Sequence, residues 1–235
     1  MTNEKNRNKL IELVCKYGGD HKLVNQAIVQ GKGNSEKCWC KNCITIYDDE
    51  YPLELFDKKG TPPLALFFKG DISLLKEKGK IMVIGSSQAS KDAKKATEDF
   101  VKANKNKVII TGTNKRIEEI ALKNAEKPIL VLSCGLDCSY PEDRKELYEQ
   151  VEKKGLIISE FPWFTCSNEE RKSLSVELAI TLSSECVVME VRKRDLFSLY
   201  ALNVAKTLNR KISVLPLPKE NAINRELLVS GMKPL

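Results

Sequence analysis

The stretches of this chain best suited to holding an anion are short, rich in glycine and hydroxyls, and flanked by cations. Gly85-Ser86-Ser87-Gln88-Ala89-Ser90 follows an apolar run and precedes a charged segment. Gly85 permits close backbone approach. Ser86, Ser87 and Ser90, with the first amides of a following helix, can donate to a phosphate. The same residues equally make an ordinary strand-to-helix turn with a serine N-cap, because one glycine is not a dinucleotide fingerprint. Thr111-Gly112-Thr113-Asn114-Lys115-Arg116 puts two cations at a helix start, where the dipole disfavours them. Lys115 and Arg116 are explained by an anion shared with that helix end, or by a solvated basic turn. Ser159-Glu160 leads into Phe161-Pro162-Trp163-Phe164, aromatics able to stack bases or to form an apolar lid. Arg171-Lys172 and Arg192-Lys193-Arg194 extend the positive charge.

Acid–base and metal chemistry have less to work with. The single histidine is His21, and Asp137, Glu160 and Glu190 show no spacing that makes a catalytic pair. There is no phosphate-loop lysine motif. Of eight cysteines, Cys38, Cys40 and Cys43 form a C-x-C-x-x-C run without a nearby fourth ligand, so it reads as buried or loop thiols without metal. The expectation is binding rather than turnover, with no catalytic residue, cofactor or metal.

These loops need a scaffold, and the chain supplies a regular one. Apolar runs recur at Ile81–Ile84, Val108–Ile110, Ile129–Leu132, Leu156–Ile158, Cys186–Met189 and Ile212–Leu215. Runs apolar on both faces are strands covered from either side, hence a parallel sheet. Between them lie helix-period segments at Lys91–Ala103 (N-cap Ser90), Arg116–Asn124, Glu142–Lys153 (after Pro141), Glu170–Ser184 and Leu196–Leu208. The alternation predicts an α/β fold, a doubly wound, mostly parallel Rossmann-like sheet with right-handed crossovers. In such a sheet ligands sit beyond the carboxyl ends of strands, where the loops above fall. Residues 1–45 read as a short helical segment with a stripe of Leu10, Leu13 and Val14, and residues 46–235 as the main domain. Tyr51-Pro52 opens a short helix over Leu53–Phe56. Pro62-Pro63 then introduces an extended run, Leu64–Phe68, that adds to or packs across the sheet.

Composition is compatible with this reading. Hydrophobic residues make up 42% and charged residues 30%, which argues against disorder. The formal charge of +7 suits a polyanion partner without demanding one. No run approaches the ~20 apolar residues a membrane span needs, and the polar Met1–Lys9 lacks a secretory signal. A cytoplasmic protein with reduced thiols and no membrane contact is expected.

From Ile44 onward the ordered pieces resemble the DNA-processing protein A (DprA/Smf) family. Tyr51-Pro52, Pro62-Pro63 and Phe67-Phe68-Lys69-Gly70 look like its YP, PP and LY-x-kG elements. Val83-Ile84-Gly85-Ser86-Ser87 with Ala89-Ser90 looks like its VGSR and AS. Gly135-Leu136-Asp137 with Tyr140-Pro141 looks like its GLD-x-x-YP. Ser159-Glu160-Phe161-Pro162, Leu182-Ser183, Val187–Glu190 and Ser198-Leu199 continue the order. The resemblance implies single-stranded DNA binding, natural transformation or recombination, loading of a RecA-type recombinase, and a homodimer. It implies phosphate contacts from Gly85, Ser86, Ser87, Ser90, Thr111, Gly112, Lys115, Arg116, Ser159, Glu160, Arg171, Lys172 and Ser198. Ser87 stands where the family has an arginine, and the FP-x-RNR segment has no counterpart near Arg171–Glu177, which implies weakened DNA binding. Neither a C-terminal winged-helix module nor a full N-terminal helical domain is expected. A nucleotide-binding enzyme or sensor and a degenerate protein-interaction scaffold are the alternatives.

Overall fold

The computed structural model describes residues 2–34, 40, 42–57, 62–112, 116–138, 144–217 and 222–235. Two helices come first, α1 (Thr2–Lys16) and α2 (His21–Val29). Gly18 and Gly19 turn the chain between them at φ 61° and 78°, a conformation costly for other residues. Strand β1 (Cys43–Thr45) and strand β2 (Ala65–Gly70) flank a short 3-10 helix, Leu53–Asp57. A regular series follows: β3 (Ile81–Gly85), α3 (Lys91–Ala103), β4 (Val108–Thr111), α4 (Ile117–Asn124), β5 (Lys127–Leu132) and α5 (Lys145–Lys154). It continues with β6 (Leu156–Ser159), α6 (Glu169–Leu182), β7 (Glu185–Glu190), α7 (Leu196–Thr207), β8 (Lys211–Val214), α8 (Ala222–Val229) and β9 (Lys233–Pro234).

Among the described residues the strands form one sheet, ordered β1-β2-β6-β5-β4-β3-β7-β8-β9. It is parallel from β6 to β9, and β2 joins it antiparallel to β6 with Phe67 opposite Ser159. The doubly wound, mostly parallel sheet expected from the alternation is therefore present, and Leu64–Phe68 adds to it as β2. The helix expected from Glu142 runs from Lys145; Pro141 and Glu142 lie outside the described residues.

Both faces of the central strands are buried, by different layers. In β3, Ile81 and Val83 pack with Ala93 and Val101 of α3 and Ile117 and Ala121 of α4. Met82 and Ile84 point the other way, toward Leu178 and Ile180 of α6 and Ala201 and Val204 of α7. This two-residue alternation between two covered faces is why the strand is apolar throughout. The N-terminal helices bury Leu10, Ile11, Leu13, Val14, Val24 and Ala27 against Phe67, Leu130, Ile157 and α5. Each of the leucine, isoleucine and valine side chains contributes about 1.5–3 kcal/mol of burial.

Candidate functional site

The order of the strands reverses beside β3. From β3 the chain steps through β4, β5 and β6, then returns through α6 to place β7 on the other side of β3. Such a switch opens a crevice at the carboxyl ends of the two strands. The loops after β3, β4 and β7 therefore adjoin, bringing Gly85, Ser86, Ser87 and Ser90 beside Thr111, Gly112 and Arg116, with Ser198 at the start of α7.

Two carboxylates organise this crevice. A register shift at Ile84/Gly85 sets Gly85 against Glu190, and the Ser86 amide donates to the Glu190 carbonyl at 2.8 Å. The Glu190 carboxylate accepts from the Ser90 amide at 2.6 Å and from Arg192 Nε at 2.7 Å. Burial alone would raise the pKa of Glu190. The bonds from Ser90 and the Arg192 guanidinium outweigh burial and hold it below its ordinary value. Asp195 caps α7 through the Ser198 amide (3.0 Å) and reaches across to the Ser87 amide (3.3 Å). Ser90 Oγ caps α3 through the Ala93 amide. The amides on which a phosphate cradle would depend are thus bonded to the protein's own acceptors. Gly85 also has a packing reason: a Cβ there would fall 2.4 Å from Ile117 Cγ2.

Positive charge surrounds this floor. Arg192, Lys193 and Arg194 are exposed, as is Arg116, which enters α4 at φ 69° and donates its amide to Glu119. Lys115 lies outside the described residues. Thr111 is buried, its hydroxyl on the Gly112 carbonyl, and Gly112 faces Phe197 and Glu118. The Ser198 hydroxyl is buried without a hydrogen-bond partner among the described residues. Arg144, not singled out from the sequence, is 4% exposed and pairs with Glu119 at 2.9 Å. Its signal was a cation at the mouth of α5, which calls for a nearby carboxylate.

The remaining candidates belong to the β5 and β6 side, about 14 Å from β3 at ordinary strand spacing. Ser159 Oγ donates to the Cys134 carbonyl at 2.7 Å and accepts the Phe161 amide, so it knits two loops together. The Glu160 side chain is buried, with His21 Nε2 at 3.9 Å. Arg171 donates to the Cys166 carbonyl and lies over the Phe161 ring, while Lys172 pairs with Glu169. Trp163 packs edge-on against Phe67. Phe164 does the opposite: it is 86% exposed at φ 63°, its amide held by Asp137. Of the two aromatics, Trp163 thus belongs to the core and Phe164 projects into solvent. Farther away, a cavity of about 500 Å³ lies at the opposite edge of the sheet, lined by Glu50, Lys76, Lys78, Lys80 and Arg210; no sequence-predicted site residue lines it.

A family model for DNA recombination-mediator protein A matches residues 42–228. DNA processing protein DprA of Streptococcus pneumoniae is 37% identical over 123 residues, which are 50% of this chain and 43% of that protein. Protein Smf of a Synechocystis species is 28% identical over 184 residues, 74% of this chain and 45% of that protein. This chain thus spans about half the length of the curated relatives it matches. The X-ray structure of the Streptococcus pneumoniae DNA processing protein A aligns with a TM-score of 0.75 at 23% identity, covering 100% of this chain and 95% of that one. A solved structure of the Helicobacter pylori DNA processing protein A, described for its single-stranded DNA binding mode, also gives 0.75, at 24% identity, covering 81% and 89%. These two likenesses concern the fold.

Proposed function

Because the chain belongs to the DNA recombination-mediator protein A family, we propose that it binds single-stranded DNA along the carboxyl edge of its sheet and serves DNA processing and recombination. The observation that carries this reading is the setting of exposed Arg116, Arg192, Lys193 and Arg194 around the β3/β7 crevice, on the same edge as the projecting Phe164. Cations track the backbone and an exposed aromatic offers a face to a base, a pairing suited to single strands. Binding is weaker than a free amide cradle would give, since Glu190 and Asp195 already hold the Ser87 and Ser90 amides. A homodimer and a RecA-type recombinase partner belong to the same proposal.

Fluorescence anisotropy with labelled single-stranded and duplex oligonucleotides tests it. Single strands are expected to bind more tightly than duplex, with affinity falling as salt rises. A flat response at low salt overturns the reading. The carboxylate-filled crevice favours a second one, a scaffold that engages a recombinase without DNA. Retention of the recombinase by a K115A/R116A variant with no oligonucleotide binding would support it.

A further inference from the structure

The loops that follow β5 and β6 are joined by thiols. Cys134 is buried, Cys138 is half-buried and Cys166 is exposed. Cys138 Sγ lies 3.6 Å from the Thr165 carbonyl, and Cys134 Sγ lies 3.6 Å from the Cys138 carbonyl. The Cys138 thiol thus sits against the residue that precedes Cys166, near enough to both Cys134 and Cys166 for each to act on its titration. The backbone keeps them together: the Gly135 amide donates to Thr165 at 2.8 Å, and Asp137 accepts the Phe164 amide at 2.9 Å. Gly135 allows this approach, since a Cβ there would sit 2.5 Å from the Pro162 carbonyl.

We infer that Cys138 and Cys166 are a redox-modification site that closes to a reversible disulfide by exchange with a low-molecular-weight disulfide. The exposed Cys166, having lost its proton to solvent, attacks one sulfur of the reagent and expels a thiolate, which takes up a proton. Cys138 then loses its proton to solvent and attacks the Cys166 sulfur, expelling the second thiol. Two protein thiols are oxidised by two electrons while one small disulfide is reduced to two thiols. Cys134 is the poorer nucleophile: it is buried where Cys138 is only half-buried, and although burial and Asp137 raise both thiols, Cys134 is pushed up to about 12. The bridge would pin the segment carrying Phe164 and the Cys166 carbonyl that holds Arg171. Its formation is independent of the nucleic-acid reading.

The test is to incubate the folded full-length chain with glutathione disulfide, alkylate, digest with trypsin and map linked peptides by mass spectrometry. The expected product joins peptide 124–144 to peptide 155–171 in the wild type and in C134A, is missing in C138S and C166S, and reverses with added thiol. Fragmentation of the wild-type pair between residues 134 and 138 assigns the bridge even where C134A fails to fold. A mixed disulfide that stays on Cys166, no link at all, or a bridge assigned to Cys134 each overturns the inference.

Discussion

At the scale of single residues, Phe164 and Glu190 are placed to do opposite things. A phenylalanine at φ 63° with most of its surface in water gains little from the fold and bears left-handed strain. Phe164→Gly is expected to stabilise the protein by about 0.5–1 kcal/mol, the strain relief less the added freedom of the unfolded chain. It should also weaken single-strand binding, as should Phe164→Ala, by about 1–3 kcal/mol for one lost stack, roughly 5–150-fold. Thermal melts and anisotropy read the two effects separately, and unchanged affinity in both variants would exclude a stacking role. Glu190 holds the crevice together as an anion. Its folded pKa lies below the unfolded value near 4.5, so its contribution is present above that value and lost as pH falls through the folded one. Glu190→Gln should therefore cost about 1.5–3 kcal/mol at neutral pH. In denaturant titrations the gap from wild type should shrink as pH falls below about 4.5 and on through the folded pKa, where the glutamate takes up its proton. From the sequence Glu190 was legible only as a strand-end carboxylate. Its partners, Ser90 and Arg192, come from the register between β3 and β7, which no local pattern encodes.

At the scale of elements, the periodic segments were legible and the two shortest strands were not. The strands β3 to β8 and the helices α3, α4, α6 and α7 each carry an apolar period or a cap of their own, as with Ser90 before Lys91. Strand β1 has three residues and β9 has two; pairing with β2 and β8 defines them, and a neighbour's backbone leaves no mark on such short stretches. The same limit applied to Gly85, readable as a phosphate-approach glycine or a plain turn. Its surroundings give the packing of α4 on β3 a part in the choice. Gly85→Ala would push a Cβ to 2.4–2.6 Å from three atoms of Ile117, an overpacking expected to cost about 1–3 kcal/mol. Ile117→Ala alone should cost about 2–5 kcal/mol. If the clash is the cause, the double variant loses less than the sum of the two, because shortening Ile117 removes two of the three crowded atoms, the γ carbons, and leaves only its Cβ. Additive losses in chemical denaturation would instead place the effect of Gly85 in the loop conformation.

At the scale of the whole molecule, the proposed polyanion has two edges of the sheet to choose between. The net charge of +7 is silent on this, since exposed Lys76 and Lys78 line the cavity at the amino edge while Arg116 and Lys193 stand at the carboxyl edge. Strand order separates the two groups in a way composition cannot. The carboxyl edge spans the loops from β6 through β7, so one strand of nucleic acid can pass from Phe164 to the β3/β7 crevice. The central carboxylates there limit how many phosphates find a cation. For two to four such contacts, log affinity against log salt should fall with a slope of roughly −1.5 to −3, at about −0.7 per phosphate on single strands. Arg116→Ala and Lys193→Ala should each flatten that slope by about 0.7, while Lys78→Ala leaves it unchanged. The opposite pattern, with only Lys78→Ala flattening the slope, would move the nucleic acid to the amino-edge cavity and leave the β3/β7 crevice as a structural junction built around Glu190.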